Sequence, residues 1–196
     1  MKFAKYFFCL GNPGAQYDRS PHNLGFLFAD RLMAYFPTIP HQKTKLQATW
    51  ACLVAENIAI MVSKPSTFMN LSGQAVREVY NKISSTSGAE FVGQIIVVHD
   101  DVDLTDKSIQ LKDGRVNGGH RGHNGLRNIG EQLGYLGLNK QQSVAFWRIR
   151  LGCKKAYQGQ LNQYVLQNMP ADEWDEWGKM MDSYITSPQF RELLLS

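Results

Sequence analysis

The chain has little of several things that would narrow its function at once. It has only three cysteines in 196 residues. Cys9, Cys52 and Cys153 are scattered, without the paired spacing of a zinc ribbon or a disulfide framework. That excludes a stapled secreted scaffold and points to a reducing compartment, the cytoplasm. No apolar run approaches the roughly 20 residues a membrane span needs. Charged residues make up 19%, slightly fewer than in an ordinary globular protein. There is no internal repeat, low-complexity tract or long linker. The start, "MKFAKYFFCL", has two lysines and a short apolar stretch. It lacks a small-residue cleavage site and an Arg/Ser-rich leader, so it reads as a buried first strand and not a signal or transit peptide. Motifs are missing too. No G-x-S-x-G elbow is present, and no cysteine stands in a polar loop, so a covalent acyl-enzyme has no evident nucleophile. "NGGHRGHNG" (117–125) has neither phosphate-loop nor dinucleotide-loop spacing. "DVDLTD" (101–106) fails as a calcium loop, because Asp106 stands where the turn needs glycine.

What is present fits one domain spanning residues 1–196. Apolar alternation and runs predict strands at 5–10, 49–65 (two strands around Glu56-Asn57), 94–101, 107–112 and 143–152. Helical spacing follows His22 through Phe26, Ala29, Met33 and Phe36. Further helices are expected at 73–83, with Ser72 as N-cap, and at 123–134 and 171–185. The segment 37–44, with its two prolines, reads as a loop. Strands alternating with helices give an α/β fold: a mixed, mostly buried sheet flanked by helices. Its ligand cleft is expected at the carboxyl ends of the strands. Four strand ends run into polar clusters, at Asn12, at "PSTFMN" (65–70), at Asp100 and at "NGGHRGHNG". A single cleft collecting all four is the economical arrangement.

Charge is unevenly spread. Residues 1–106 are neutral overall, 107–155 carry +8, and 156–196 carry −4. A basic block of that size is the footprint expected for a polyanion, or else a solvated face. The cleft inventory is one histidine, His22, one carboxylate, Asp100, and three carboxamides, Asn12, Asn70 and Asn124. Asn23, His99, Asp101, Asp103, His120 and His123 lie close by in sequence. A histidine near neutrality can take a proton from water. A carboxylate on its other nitrogen fixes the tautomer. Carboxamides can serve an oxyanion or a substrate N–H without competing for the proton. The set suits water attack on an activated ester. Asn70 and Asn124, each taken alone, also read as helix caps, and Asp100 as a strand-end residue. His120 and His123 with His99, Asp100, Asp101 and Asp103 make a weak metal motif, and no metal or other cofactor is expected.

Four stretches together, "GNPGAQYDRSPHNLGF" (11–26), "KPSTFMNLSG" (64–73), "VVHDDVDL" (97–104) and "GGHRGHNGLRNI" (118–129), resemble bacterial-type peptidyl-tRNA hydrolase in order and spacing. The weaker "LNQYVLQNMP" (161–170) resembles that family's segment before its last helix. The resemblance implies hydrolysis of the ester joining a peptide to the 3′ end of tRNA, by a metal-independent monomer. It implies that His22 is the base and Asp100 the acid that holds it. By the same resemblance Asn12 distinguishes blocked from free aminoacyl-tRNA. Tyr17, Phe68, Asn70 and Asn124 would contact the substrate. Lys112, Arg115, Arg121 and Arg150 would meet phosphates, within a wider set that includes Arg127, Arg148, Lys154 and Lys155. Two departures stand out. Arg121 replaces a glycine common in the family, and the stretch 112–119 is longer than usual. Two rivals are a chloroplast relative of the hydrolase that serves in intron splicing, and a metal-dependent hydrolase. The polar segment 154–169 is a candidate lid.

Overall fold

The computed structural model describes residues 5–39, 48–55, 58–87, 94–113, 120–135, 146–153 and 160–196. In chain order the strands are β1 (Lys5–Cys9), β2 (Thr38–Ile39), β3 (Ala48–Ala55), β4 (Ile58–Pro65), β5 (Gln94–Asp101), β6 (Ser108–Asp113) and β7 (Phe146–Gly152). The helices are α1 (Leu24–Tyr35), α2 (Ser72–Ser87), α3 (Asn124–Tyr135), α4 (Leu161–Tyr164), α5 (Ala171–Ile185) and α6 (Pro188–Leu195). All seven strands form one sheet in the order β2-β3-β4-β1-β5-β7-β6. β4, β1, β5 and β7 run parallel, while β3 and β6 are antiparallel to their neighbours. The expected α/β architecture with a mixed sheet is the one observed.

Strand alternation splits the core into two layers. Phe7, Cys9, Ile96, Val98, Ile149 and Leu151 point to one face and pack under α1, α5 and α6. Tyr6, Phe8, Leu10, Ile95 and Val97 point to the other, under α2 and α3. β1 is buried at every residue because it is central and covered on both faces. A continuous apolar run is what such a strand requires.

Several expectations change. The strand within 37–44 was not expected: Thr38 and Ile39 pair with Leu53 and Cys52 as an edge strand. β-branched side chains at both positions fit that pairing despite the flanking prolines. Ser72 begins α2, but its hydroxyl donates to the Met69 carbonyl at 2.9 Å, so it closes the preceding turn instead of accepting from the helix. The helix expected at 171–185 is observed with those bounds as α5, and a further helix, α6, follows it. Ser187 accepts from the Phe190 N–H, and Pro188 starts α6. The largest change is β6. It runs antiparallel to β7, so its carboxyl end lies opposite the start of β7. "NGGHRGHNG" therefore does not leave a strand end at the cleft. Residues 114–119, which follow β6, lie outside the described residues. The Glu56-Asn57 turn and residues 154–159 also lie outside the described residues.

Candidate active site

The site begins where β1 ends. Gly14, with φ 107°, turns the chain away from the strand, and the loop returns as a single 3₁₀ turn, Pro21–Asn23, leading into α1. Asn23 locks the two ends of that loop. Its Oδ1 accepts from the Asn12 N–H at 2.7 Å, and its Nδ2 donates to the Asn12 carbonyl at 3.1 Å. Gly25 then presses on the ends of β1 and β5. A Cβ there would collide with backbone atoms of Leu10 and with the Val98 carbonyl. This close approach brings the start of α1 onto the end of β5, where Asp100 sits.

His22 Nδ1 lies 2.9 Å from Asp100 Oδ1. His123 Nε2 lies 3.1 Å from the same oxygen. Asp100 is only 2% exposed, so an ionised carboxylate there needs such donors. Burial works against its charge, but the two imidazoles outweigh burial and hold its pKa well below the usual carboxylate range. An ionised carboxylate only accepts, which assigns a proton to His22 Nδ1 and another to His123 Nε2. His123 Nδ1 in turn accepts, at 3.4 Å, from the Leu126 N–H, one of the free donors at the start of α3. His22 Nε2 is left as the basic nitrogen. Burial lowers the His22 pKa, Asp100 raises it more, and the net effect is a rise above 6.5.

Beneath them, His99 donates Nδ1–H to its neighbour's carbonyl, Asp100 O, at 2.7 Å. Burial, reinforced by His123, pushes its pKa down to about 3, so it stays neutral. Alternation along β5 turns His99 and Asp101 to the α3 face and Asp100 to the α1 face. Asp101 Oδ2 accepts from Arg150 Nε at 2.7 Å, and Arg150 Nη1 donates to Gln110 at 2.6 Å. Burial works against the Asp101 charge, but Arg150 prevails and its pKa is lowered.

His22, Asp100, Asn124 and Arg121 line one cleft, together with Arg148 and Val165. Leu161, Asn162 and Val165 form a wall of it. The His22 N–H donates to the Val165 carbonyl at 3.1 Å, and the Met169 N–H to the Arg19 carbonyl at 2.9 Å. This described part of the candidate lid is docked on the loop that carries His22. Asn12, Tyr17, Phe68 and Asn70 do not line that cleft; they lie on the adjoining loops. Asn12 is 4% exposed, and its Oδ1 accepts from the Met69 N–H at 2.8 Å. Its oxygen is spoken for, and only the amide nitrogen can serve a substrate. Met69 packs against Gly125, which sets the Asn70 turn beside Asn124. Phe68 is half exposed.

The profile of the peptidyl-tRNA hydrolase family matches residues 6–190. The chain belongs to that family. A Pelobacter propionicus protein named peptidyl-tRNA hydrolase is 37% identical over 173 residues, 88% of this chain and 81% of the relative. One from Methylobacillus flagellatus, with the same name, is 37% identical over 98% of this chain and 92% of its own length. The peptidyl-tRNA hydrolase crystal structure from Acinetobacter baumannii superposes with a TM-score of 0.70 at 26% identity, covering 99% of this chain and 94% of that one.

Against the family pattern, the basic residues divide. Lys112 is exposed on β6, opposite Arg148. Arg127 is exposed on α3. Arg115, Lys154 and Lys155 lie outside the described residues. Arg150 is only 8% exposed and committed to Asp101 and Gln110. That geometry suits a residue that positions Asp101 and not an open phosphate contact. The second imidazole on Asp100, His123, was legible in the sequence as a neighbour of the cleft residues, as the start of the helix expected at 123–134, and within the weak metal motif.

Two alternatives meet the geometry directly. A thiol nucleophile is excluded: all three cysteines are buried, and burial alone pushes the Cys52 thiol up to about 11. The metal reading regroups as His22, Asp100 and His123, whose donor atoms lie within 4.8 Å of one another. Both imidazoles there already face one carboxylate oxygen as hydrogen-bond donors. Activity is expected to be unchanged after extended dialysis against a chelator. A loss restored by an added divalent cation would refute the metal-free reading.

Proposed function

We propose that this chain hydrolyses the ester between peptide and tRNA, with His22 as general base. The observation that carries this reading is the hydrogen bond from His22 Nδ1 to the buried Asp100, which leaves Nε2 as the basic nitrogen. A water held by Nε2 attacks the ester carbonyl as the imidazole takes its proton. Asp100 stabilises the imidazolium that forms. The tetrahedral intermediate collapses, and the 3′ ribose oxygen leaves with that proton. The products are a free peptide carboxylate and an intact tRNA end. Asn124, at the first position of α3, has both a side-chain donor and a helix N-terminus to offer the oxyanion. Tyr17, Phe68 and Asn70 line the approach, and the exposed Phe68 ring suits stacking on an unpaired base. Lys112, Arg115 and Arg127 supply charge for the acceptor stem. We place the reaction in the cytoplasm, with the monomer as the acting unit. Among the described residues no helix is long and apolar enough to cross a membrane.

Asn12 supplies the discriminating donor. A blocked α-nitrogen carries an acyl carbonyl that can accept from the Asn12 amide, whereas a free ammonium cannot. The test is release of N-acetyl-aminoacyl groups and of free aminoacyl groups from the same tRNA. Wild type is expected to favour the blocked ester strongly, and Asn12→Asp to narrow that preference by about tenfold or more. An unchanged ratio would remove Asn12 from this role. Absence of release by wild type would remove the function.

A further inference from the structure

The turn from His120 to His123 carries two consecutive residues with positive φ, Arg121 at 44° and Gly122 at 86°. The His123 N–H closes it on the His120 carbonyl at 2.7 Å. This is the type I′ arrangement, whose two central positions favour glycine, asparagine and aspartate. A Cβ in the left-handed region crowds the backbone, so arginine is a costly choice there. Strain retained beside a reactive site points to a use for the side chain.

The use is visible in the surroundings. The Arg121 side chain is 59% exposed and lines the cleft that contains His22 and Asp100. Its Nη1 lies 3.4 Å from Asp103 Oδ2, long for a charge-assisted hydrogen bond. Asp101, by contrast, is firmly held by Arg150. Among the described residues the Asp101–Arg150 pair is tight and the Asp103–Arg121 pair loose, and the loose one carries the exposed guanidinium.

We propose that Arg121 sets affinity for the RNA part of the substrate by leaving Asp103 and taking the phosphodiester nearest the scissile ester. The inference rests on the hydrolase reading above. The last phosphodiester of the RNA is one ribose away from the ester, so an ester seated at His22 brings that phosphate to the cleft rim. A guanidinium fork matches two phosphate oxygens, and Asp103 holds the fork over the cleft until they arrive. Asp103 therefore competes with the substrate as well as ordering the side chain.

The test is steady-state kinetics over a range of salt concentrations, on N-acetyl-aminoacyl-tRNA and on N-acetyl-aminoacyl-adenosine, which has the ester but no phosphodiester. On the tRNA substrate, Arg121→Gly should raise KM about 5- to 10-fold with little effect on kcat, and flatten the log–log salt slope by about 0.7. Arg121→Lys should keep the slope, and Asp103→Asn should lower KM. Relief of the backbone strain should raise the Tm of Arg121→Gly by about 2–4 °C. An unchanged KM and slope would overturn the proposal. So would an equal rise in KM on the adenosine ester, which would assign Arg121 to the peptide side, or a fall in Tm, which would make it a structural residue of the turn. A wild type inactive on both esters would sink the hydrolase reading, and this inference with it.

Discussion

His22→Ala is expected to release N-acetyl-aminoacyl groups from tRNA at least about 100-fold more slowly than wild type, the usual loss on removing a general base. The effect should fall on kcat, because the imidazole acts on the water and not on the bound ester. The substitution should leave the fold intact. The Pro21–Asn23 turn is held by backbone atoms, through the His22 N–H on Val165 and the Asn23 N–H on the Ser20 carbonyl at 2.8 Å. The Asn12–Asn23 pair holds it from the other side. An alanine keeps all of these. Circular dichroism and thermal melting of the variant separate a catalytic loss from unfolding. A variant that works at the wild-type rate would show that another group takes the proton.

The second large effect concerns Asp100. Asp100→Asn should lower the rate by about 10²–10⁴-fold and also shift the pH profile. The direction follows from the charge. The base must be neutral, and Asp100 favours the imidazolium, so in wild type the rate should fall below an apparent pKa higher than 6.5. A carboxamide does not favour the imidazolium, and burial then acts alone. The acid limb of the variant should therefore move to lower pH. The rate falls nonetheless, because the carboxamide can present its N–H to His22 and hold the wrong tautomer, with Nδ1 basic and Nε2 protonated. His22 Nδ1 and His123 Nε2 both face Asp100 Oδ1, so the substitution changes both contacts at once. A variant with the acid limb unmoved would break the link between Asp100 and His22.

The division between what sequence conveys and what folding decides is clear at individual residues. The apolar run at Lys5–Cys9 reads as a buried strand, and the amphipathic spacing at Ala171–Ile185 as a helix. Such patterns are local and periodic. The direction of β6 is not. Nothing in "KSIQLK" (107–112) states whether it lies parallel or antiparallel to β7, a strand about forty residues later. Pairing geometry decided it, and set the carboxyl end of β6 opposite the start of β7, away from the cleft.

The site divides in the same way. By itself the sequence determined the fold class, the family resemblance, and the residue types a water-attack site needs. His22, Asp100 and Asn124 could be named from motifs because each stands at the edge of a recognisable element. Tertiary structure decided the rest. It set His123 on the oxygen that holds His22, turned the side-chain oxygen of Asn12 inward to the Met69 N–H, and buried Arg150 against Asp101. Those are contacts between residues from 23 to 57 positions apart. The physical reason is that a side chain's proton, partner and exposure depend on what the other strands and helices bring against it. A motif states which groups are available. Only the packed sheet, with α1 and α3 converging on the end of β5, states which nitrogen is left to take a proton.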